Sequence, residues 1–314
     1  MIEIKSLTKV FGDKVAVDNL TFTVEDGEIM GFLGPNGAGK STTMNILTGY
    51  LSATSGTAVI NGADIFEEPN RAKKNIGFLP EQPPLYQDMT VMEYLKFVYS
   101  LKGAVQPRRE HLDEICRMAG IDHVKHRVIK NLSKGYRQRV GIAQALVGDP
   151  KVLIFDEPTV GLDPNQIIEI RTLIKNLGKK HTVILSTHIL SEVQAVCDRI
   201  VIINKGKIVA DSPTAQLLSN TAGTVKYRAK LACRDVSTAT RLVSSVDGVK
   251  AVTPAQATEE GISEVIFDTD PSIDVRHGLF NVLAEKGVAL MGLENVSLTL
   301  EDIFTSLTVG KGAK

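Results

Sequence analysis

The chain has 314 residues, a length typical of about two domains. Apolar residues make up 43% and charged residues 23%, as in ordinary globular proteins. There are 36 basic and 36 acidic residues, so no overall charge directs the chain to nucleic acid or anionic lipid. Cys116, Cys197 and Cys233 lack the spacing of a zinc site or a disulfide framework. No apolar run approaches the roughly 18 residues of a membrane span, so an integral membrane protein is not expected.

The first ninety residues predict strands around a single helix. Strands are expected at residues 1–7, 15–24, 28–33, 59–61 and 76–79. Met44 and Leu47 would share one face of a helix over residues 41–51. From about residue 90 to 147, apolar residues recur at helical spacing and glycine and proline separate the segments, which predicts an inserted helical subdomain.

Strands return after the helical subdomain. Residues 152–155, 182–186 and 199–203 form continuous apolar runs, as strands buried on both faces do. A helical segment separates the first two runs, which is the order of a βαβ unit. The predicted fold class is therefore α/β with a doubly wound, mainly parallel sheet.

A polar segment at residues 219–223 marks a domain boundary. The expected domains are 1–220, with the helical subdomain at about 90–147, and 224–310. The second has the order strand, helix, strand, strand, helix, strand, which predicts a ferredoxin-like α+β fold. It shows no metal-ligand spacing, nucleophile or glycine-rich loop. A packing or dimer-stabilising role is the simplest interpretation, and a regulatory or partner site is the alternative.

A glycine-rich loop between the third predicted strand and the first helix fits G-x-x-x-x-G-K-[ST], the pattern of phosphate-binding loops. Glycines let backbone N–H groups curl around phosphate oxygens, and the helix directs the positive end of its dipole at them. Lys40 is expected to reach the β- and γ-phosphates and Ser41 to ligate Mg²⁺; a solvated lysine on a plain turn is the alternative. The residues expected around the nucleotide are Gly34, Pro35, Asn36, Gly37, Ala38, Gly39, Lys40, Ser41 and Thr42.

Two acids end the apolar strand at 152–155. In open α/β sheets, ligands bind beyond the carboxyl ends of the strands. Asp156 is expected to hold Mg²⁺, and Glu157 to polarise the water that attacks the γ-phosphate. Adjacent carboxylates repel one another, so a cation is the natural compensation. The alternative is that both acids cap the next helix.

Further motifs resemble the ATPase subunits of ABC transporters. Residues 132–136, Leu-Ser-Lys-Gly-Tyr, resemble the signature L-S-G-G-Q, with Lys134 and Tyr136 as departures. Gly161-Leu162-Asp163 resembles the D-loop, and Ser186-Thr187-His188 resembles the switch-histidine segment. The resemblance covers about residues 1–215. It implies a P-loop NTPase fold of the ABC cassette type, with a RecA-like core, an antiparallel β subdomain and the inserted helical subdomain.

The resemblance also implies how a complete site is assembled. Two copies, or this chain and a second ABC ATPase, would pack head to tail around two ATP molecules with Mg²⁺. Each site would use the phosphate loop of one copy and Ser133, Gly135 and Asp163 of the other. Lys134 would either strengthen this second anion site or face solvent.

Single residues match other functional positions of the family. Phe11 matches the aromatic residue that stacks on adenine, and a core role is the alternative. His188 matches the residue that contacts the γ-phosphate and holds Glu157. The family glutamine that senses Mg²⁺ and contacts the transporter falls at Glu81 by ungapped alignment, with Gln82 one position later. Both are therefore candidates.

The implied function is the ATP-hydrolysing motor of an ABC exporter that works through a separate membrane permease, on the cytoplasmic face of the cell membrane. Motifs such as Asp163-Pro-Asn-Gln166 and Leu300-Glu301-Asp302-Ile303-Phe304 resemble type 2 exporters of the gliding-motility-associated, GldA-like branch, with the copper-enzyme maturation, NosF-like branch as a neighbour. A soluble ABC ATPase acting on ribosomes or nucleic acid is the alternative. The single cassette and the lack of a basic face disfavour it, and no nucleic-acid partner is expected.

Overall fold

The computed structural model describes residues 1–219 (the side chains of 217–219 excepted), 225–255, 259, 261–270, 272–295 and 304. These residues form two compact units, one over Met1–Thr214 and one within Ala215–Ser306. The predicted boundary at 219–223 and nearly all of the Leu300–Phe304 motif lie outside the described residues.

The strands of the first unit occur in both antiparallel and parallel sheets. In chain order they are β1 (Ile2–Phe11), β2 (Lys14–Val24), β3 (Ile29–Leu33), β4 (Ser55–Ile60), β5 (Ala63–Asp64), β6 (Ile76–Leu79), β7 (Val152–Asp156), β8 (Thr182–Thr187), β9 (Arg199–Asn204) and β10 (Lys207–Pro213). The alternating pattern of β2 produces a strand with one buried face, whereas every residue of β3, β7 and β8 is buried.

The helices connect these strands. They are α1 (Lys40–Leu47), α2 (Pro69–Lys74), α3 (Val91–Lys102), α4 (Arg108–Met118), α5 (Lys134–Leu146), α6 (Pro164–Leu177) and α7 (Leu190–Val196). A further helix, α8 (Thr214–Ser219), follows β10 and, apart from its first residue, falls in the second unit. Helix α1 ends four residues earlier than predicted, because Gly49 takes a left-handed backbone conformation just beyond it (φ +67°).

Two sheets organise the first unit. An antiparallel sheet has the order β2-β1-β4-β5, and a six-stranded sheet has the order β10-β9-β3-β8-β7-β6. In the larger sheet all neighbours are parallel except β10, which pairs antiparallel with β9 at the edge. The parallel strands were predicted from their apolar runs, whereas β10 was not, because only alternate residues of it are even partly buried.

The predicted helical subdomain is confirmed as α3, α4 and α5. A capping box starts α3, since the Thr90 hydroxyl accepts from the Glu93 N–H while the Glu93 carboxylate accepts from the Thr90 N–H. Gly103, in a left-handed conformation, ends this helix. The last of the three, α5, leads into β7, which lies between β8 and the edge strand β6.

The second unit has the predicted ferredoxin-like order. Its elements are β11 (Val225–Leu231), α9 (Val236–Ser244), β12 (Val249–Ala255), β13 (Ser263–Thr269), α10 (Val275–Glu285) and β14 (Leu290–Asn295). The strands pair antiparallel in the order β12-β13-β11-β14, and Leu231, Phe267 and Leu279 belong to their core. Within the described ranges, no helix is both long and apolar enough to cross a bilayer.

Candidate nucleotide-binding site

The glycine-rich loop turns tightly between β3 and α1. A Cβ atom on Gly34 would lie 2.5 Å from the Ile203 carbonyl oxygen. Gly39 has φ of +110°, and a Cβ there would lie 2.5 Å from the Ala16 carbonyl oxygen. Neither position accepts a side chain without moving backbone, so the loop requires glycine at both.

Lys40 lies buried at the first turn of α1. Its Nζ donates to the Gly34 carbonyl oxygen at 2.8 Å and lies 3.4 Å from Glu157 Oε1. The bond from the Thr43 N–H to the Gly39 carbonyl begins the helical ladder, so the preceding N–H groups have no partner within the helix. A charged ammonium and free N–H groups at one helix end form an anion-binding arrangement.

Asp156 ends β7 and is buried. Its Oδ1 accepts from Ser186 Oγ at 2.7 Å. Burial raises the pKa of Asp156, and hydrogen bonding from Ser186 and Ser41 offsets part of that shift. Ser41 and Asp156, the two residues expected to hold Mg²⁺, therefore lie near each other, and their side chains supply the oxygen ligands that this ion prefers.

Glu157 adopts a backbone conformation that is unusual for a side chain larger than glycine, with φ of +50°. Its N–H donates to the Ser186 carbonyl at 2.9 Å, which fixes the turn after β7. Its Oε2 lies 2.9 Å from Nδ1 of His188, whose side chain is 42% exposed. The strained turn therefore holds the carboxylate between Lys40 and His188.

One open cavity of about 520 Å³ collects most of the predicted site. Its lining is Phe11, Lys14, Ala16, Asn36, Gly37, Gly39, Lys40, Ser41, Thr42, Glu81, Glu157, Val160 and His188. Phe11 is 47% exposed, so it is not a core residue. Sequence reasoning missed Lys14, Ala16 and Val160, which belong to no motif and reach the cavity only through folding.

A groove beside this cavity contains other residues of the predicted site. Asp156 and Gln82 line that groove rather than the cavity, whereas Glu81 and Ser41 line both. Gly34, Pro35 and Ala38 shape the loop itself, since the Ala38 N–H donates to the Pro35 carbonyl at 3.1 Å.

Ser133, Gly135 and Asp163 line neither the cavity nor the groove. The hydroxyl of Ser133 accepts from the Tyr136 N–H and caps α5, while Asp163 caps α6 by accepting from the Gln166 N–H at 3.0 Å.

The signature and the D-loop of this chain pack closely on each other. A Cβ on Gly135 would lie 2.6 Å from the Gln166 side chain, and one on Gly161 would lie 2.1 Å from Lys134 Nζ. The Lys134 ammonium therefore lies over the D-loop of its own chain, an arrangement that the sequence did not predict.

The site combines a loop that requires glycine, a buried lysine at a helix N-terminus and two carboxylates at the carboxyl edge of a parallel sheet. These features define a P-loop nucleotide-binding protein. The antiparallel sheet and the helical insertion add the features of the ABC cassette. The family model described as ABC transporter matches residues 17–160. The chain belongs to the ATP-binding proteins of ABC transporters.

Relatives cover either the cassette or the whole chain. YxlF of Bacillus subtilis, an uncharacterized ABC transporter ATP-binding protein, is 32% identical over 97% of this chain and 98% of its own length. YhcH of the same organism, described in the same words, is 42% identical over 67% of this chain and 68% of its own. The bacitracin transport ATP-binding protein BcrA of Bacillus licheniformis is 39% identical over 68% of this chain and 70% of its own.

Solved structures agree with this fold. A dimeric ATP-binding cassette in a post-hydrolysis state, bound to ADP and Pi, is 28% identical, with a TM-score of 0.62 over 68% of this chain and 99% of that one. This chain is accordingly an ATP-binding subunit of an ABC transporter, and cassettes of this class are ATPases.

Proposed function

We propose that this chain is the ATP-hydrolysing motor subunit of an ABC exporter and drives transport through a separate membrane permease. The observation that carries the proposal is the single cavity in which Lys40, Glu157 and His188 meet the phosphate loop. These are the groups needed to bind a phosphate, activate a water and hold the activating base.

Glu157 is the proposed general base, because its carboxylate is buried, lines the cavity and is held at both oxygens by His188. Without nucleotide, Lys40 partly neutralises this carboxylate. An arriving phosphate would compete for the ammonium and leave Glu157 to accept a proton from water. His188 would keep the carboxylate aimed while that exchange takes place.

Ser41 and Asp156 are the residues that would hold Mg²⁺. Both residues line the groove beside the cavity, and burial of Asp156 makes a compensating cation favourable. When bound, Mg²⁺ neutralises phosphate charge. Phe11, at the same cavity, is the proposed stacking partner for adenine.

A second cassette is proposed to complete each site, either another copy of this chain or a different ABC ATPase. Ser133, Gly135 and Asp163 lie outside the cavity of their own chain. Ser133 and Gly135 lie at the N-terminus of α5, where the helix dipole suits an anion, and Asp163 is the N-cap residue of α6. The dimeric cassette that this chain resembles supports the same arrangement.

The proposed docking surface for the permease is the groove beside the nucleotide cavity, with a volume of about 810 Å³. Tyr50, Phe78, Pro80 and Pro84 line it, and Tyr50 is 84% exposed. We assign the Mg²⁺-sensing and coupling position to Glu81, since it lines both the groove and the cavity, whereas Gln82 lines the groove alone.

The exporter assignment rests on sequence and relatives together. BcrA is a bacitracin transport ATP-binding protein, and none of the relatives above is described as acting on ribosomes. Within exporters we place the chain in the type 2 group, in the GldA-like branch with the NosF-like branch as its neighbour, and at the cytoplasmic face of the cell membrane.

Affinity purification from detergent-solubilised membranes of the native host tests the proposal. The chain should recover a polytopic membrane protein, and Tyr50→Glu should reduce that recovery while leaving ATP binding intact, because it places a charge in the apolar groove. Ile168→Glu, at an exposed position of α6, is the matched control. Recovery only in the soluble fraction, with ribosomes, nucleic acid or nothing, would contradict the transporter role.

A further inference from the structure

A further buried carboxylate, Glu192, is hydrogen-bonded to segments next to Glu157 and His188. Glu192, in the first turn of α7, is only 1% exposed. Its Oε2 accepts from Thr187 Oγ1 at 2.8 Å, and its Oε1 accepts from Thr159 Oγ1. Both threonines are themselves buried, so one carboxylate joins two hydroxyl groups from separate segments.

The two threonines belong to the segments that carry the reacting groups. Thr159 lies two residues after Glu157, and its carbonyl accepts from the Leu162 N–H in the D-loop. Thr187 immediately precedes His188 and ends β8. Glu192 therefore connects the turn after β7, including the D-loop, to the turn after β8.

The hydrogen-bond pattern fixes the orientation of both hydroxyls. Thr187 Oγ1 donates to Glu192 and accepts from the Ile189 N–H at 3.1 Å. A carboxylate accepts at both oxygens, whereas a glutamine offers one acceptor and one donor group. Glutamine at this position can accept from only one hydroxyl and must donate to the other, whose own proton then loses its acceptor. An apolar side chain would provide neither bond.

We infer that Glu192 is a positioning residue that couples the D-loop and the Glu157 turn to the switch residue His188. The inference rests on the proposed hydrolytic function for its consequence, but the coupling itself is a property of the nucleotide-free chain. Displacement of the D-loop by a second cassette would reach His188 through Thr159, Glu192 and Thr187.

Amide hydrogen exchange of the nucleotide-free protein tests the coupling without any need for hydrolysis. Thr159→Val removes one hydroxyl in the turn after β7 and should speed exchange of the Ile189 amide, about threefold or more, in the turn after β8. Thr159→Ser, which keeps the hydroxyl, should restore the wild-type rate. Thr172→Val, which removes a hydroxyl from the exposed face of α6, is the control. An unchanged Ile189 rate in Thr159→Val would overturn the inference.

ATPase kinetics test the consequence. Glu192→Gln should lower kcat by about 10- to 100-fold and leave the Kd for ATP within about twofold, since the hydrogen-bond partners of Glu192 are Thr159 and Thr187 rather than residues of the phosphate loop. In a protein that already carries His188→Ala, Glu192→Gln should lower kcat no further, because both changes act through His188. A fold-only role would instead give additive losses that follow the loss in Tm, and that result would overturn the inference.

The two kinds of failure are distinguishable. Absence of ATP hydrolysis in the wild-type protein would refute the proposed function, and the exchange experiment would still decide whether Glu192 couples the two turns. Wild-type hydrolysis with an unaltered Glu192→Gln variant would refute the coupling alone.

Discussion

Lys40 Nζ and Glu157 Oε1 lie 3.4 Å apart at the cavity. The pair is buried, so each charge depends on the other for compensation. This contact explains how a carboxylate and a lysine share a small site before the phosphate arrives. It also means that nucleotide binding exchanges one partner of Lys40 for another, and that loss of Lys40 exposes Glu157 to unbalanced repulsion from the phosphates.

At this scale the first prediction concerns nucleotide affinity. Lys40→Ala should weaken ATP binding by about 10- to 100-fold or more, because a charge-assisted bond of about 1.5–3 kcal/mol is lost and Glu157 is left unpaired. Equilibrium binding of a fluorescent ATP analogue measures the change. Lys74→Ala, at an exposed position of α2, should bind as the wild type does. Wild-type affinity in Lys40→Ala would show that the loop is not the phosphate cradle.

At the scale of secondary-structure elements, side chains of α3 and α4 hydrogen-bond to the segment that connects α5 to β7. Lys102 Nζ donates to the Ala145 and Val147 carbonyls, and burial lowers the pKa of Lys102 to about 8. Nε2 of His111 accepts from the Gly148 N–H at 3.0 Å. Two titratable side chains, Lys102 and His111, thus bond α3 and α4 to the segment that leads into β7, the strand that carries Asp156.

A pH dependence of stability follows at the same scale. Burial lowers the pKa of His111, and Asp149 and Glu114 offset only part of that shift. The contribution of His111 to the free energy of unfolding is therefore fully present above the unfolded-state pKa of about 6.5. It is lost as pH falls through the lower folded-state pKa, because the unfolded chain binds a proton there more readily than the folded chain does.

The measurement is the denaturation midpoint between pH 5 and pH 8, chosen to span the titration of histidine. The denaturation midpoint of the wild type should decrease as the pH is lowered. In His111→Gln this decrease should be smaller, because the glutamine amide oxygen can still accept from the Gly148 N–H and does not titrate. His126→Gln removes an exposed histidine and should keep the wild-type slope. Identical slopes in the wild type and His111→Gln would refute the assignment.

Across the whole molecule, the groups expected to contact one nucleotide lie in two places. The phosphate loop, Glu157 and His188 share one cavity, while Ser133 and Asp163 cap helices outside it. A single chain can therefore surround only part of a nucleotide. In the proposed two-cassette arrangement, association between cassettes would complete the site, and hydrolysis would reverse that association.

The corresponding prediction is a trapped dimer. Glu157→Gln should keep ATP binding while hydrolysis falls by about 10²- to 10⁴-fold, because an amide does not take the proton from water. Light scattering at saturating ATP should then show twice the mass of one chain. Glu67→Gln, at an exposed position, should hydrolyse ATP and show no lasting dimer. A Glu157→Gln variant that stays monomeric would contradict the two-cassette model.

The sequence alone determined the features that depend on neighbouring residues. The phosphate loop, the two acids after β7 and the helix caps each involve residues within about one turn of one another, so spacing carries the information. Most strands of the first unit, its helical subdomain and the element order of the second unit followed from periodicity and glycine positions for the same reason, whereas α2, β5 and α7 were not predicted. The edge strand β10 was missed because its pattern is weak.

Only the tertiary structure decided which distant segments meet. The strand order β3-β8-β7-β6 brings together the loop after β3, the acids after β7 and His188 after β8, although more than a hundred residues separate Lys40 from Glu157. It distinguished Glu81 from Gln82 at the cavity and brought Thr159 and Thr187 to Glu192. These contacts depend on sheet pairing between residues far apart in the chain, and no local pattern specifies that pairing.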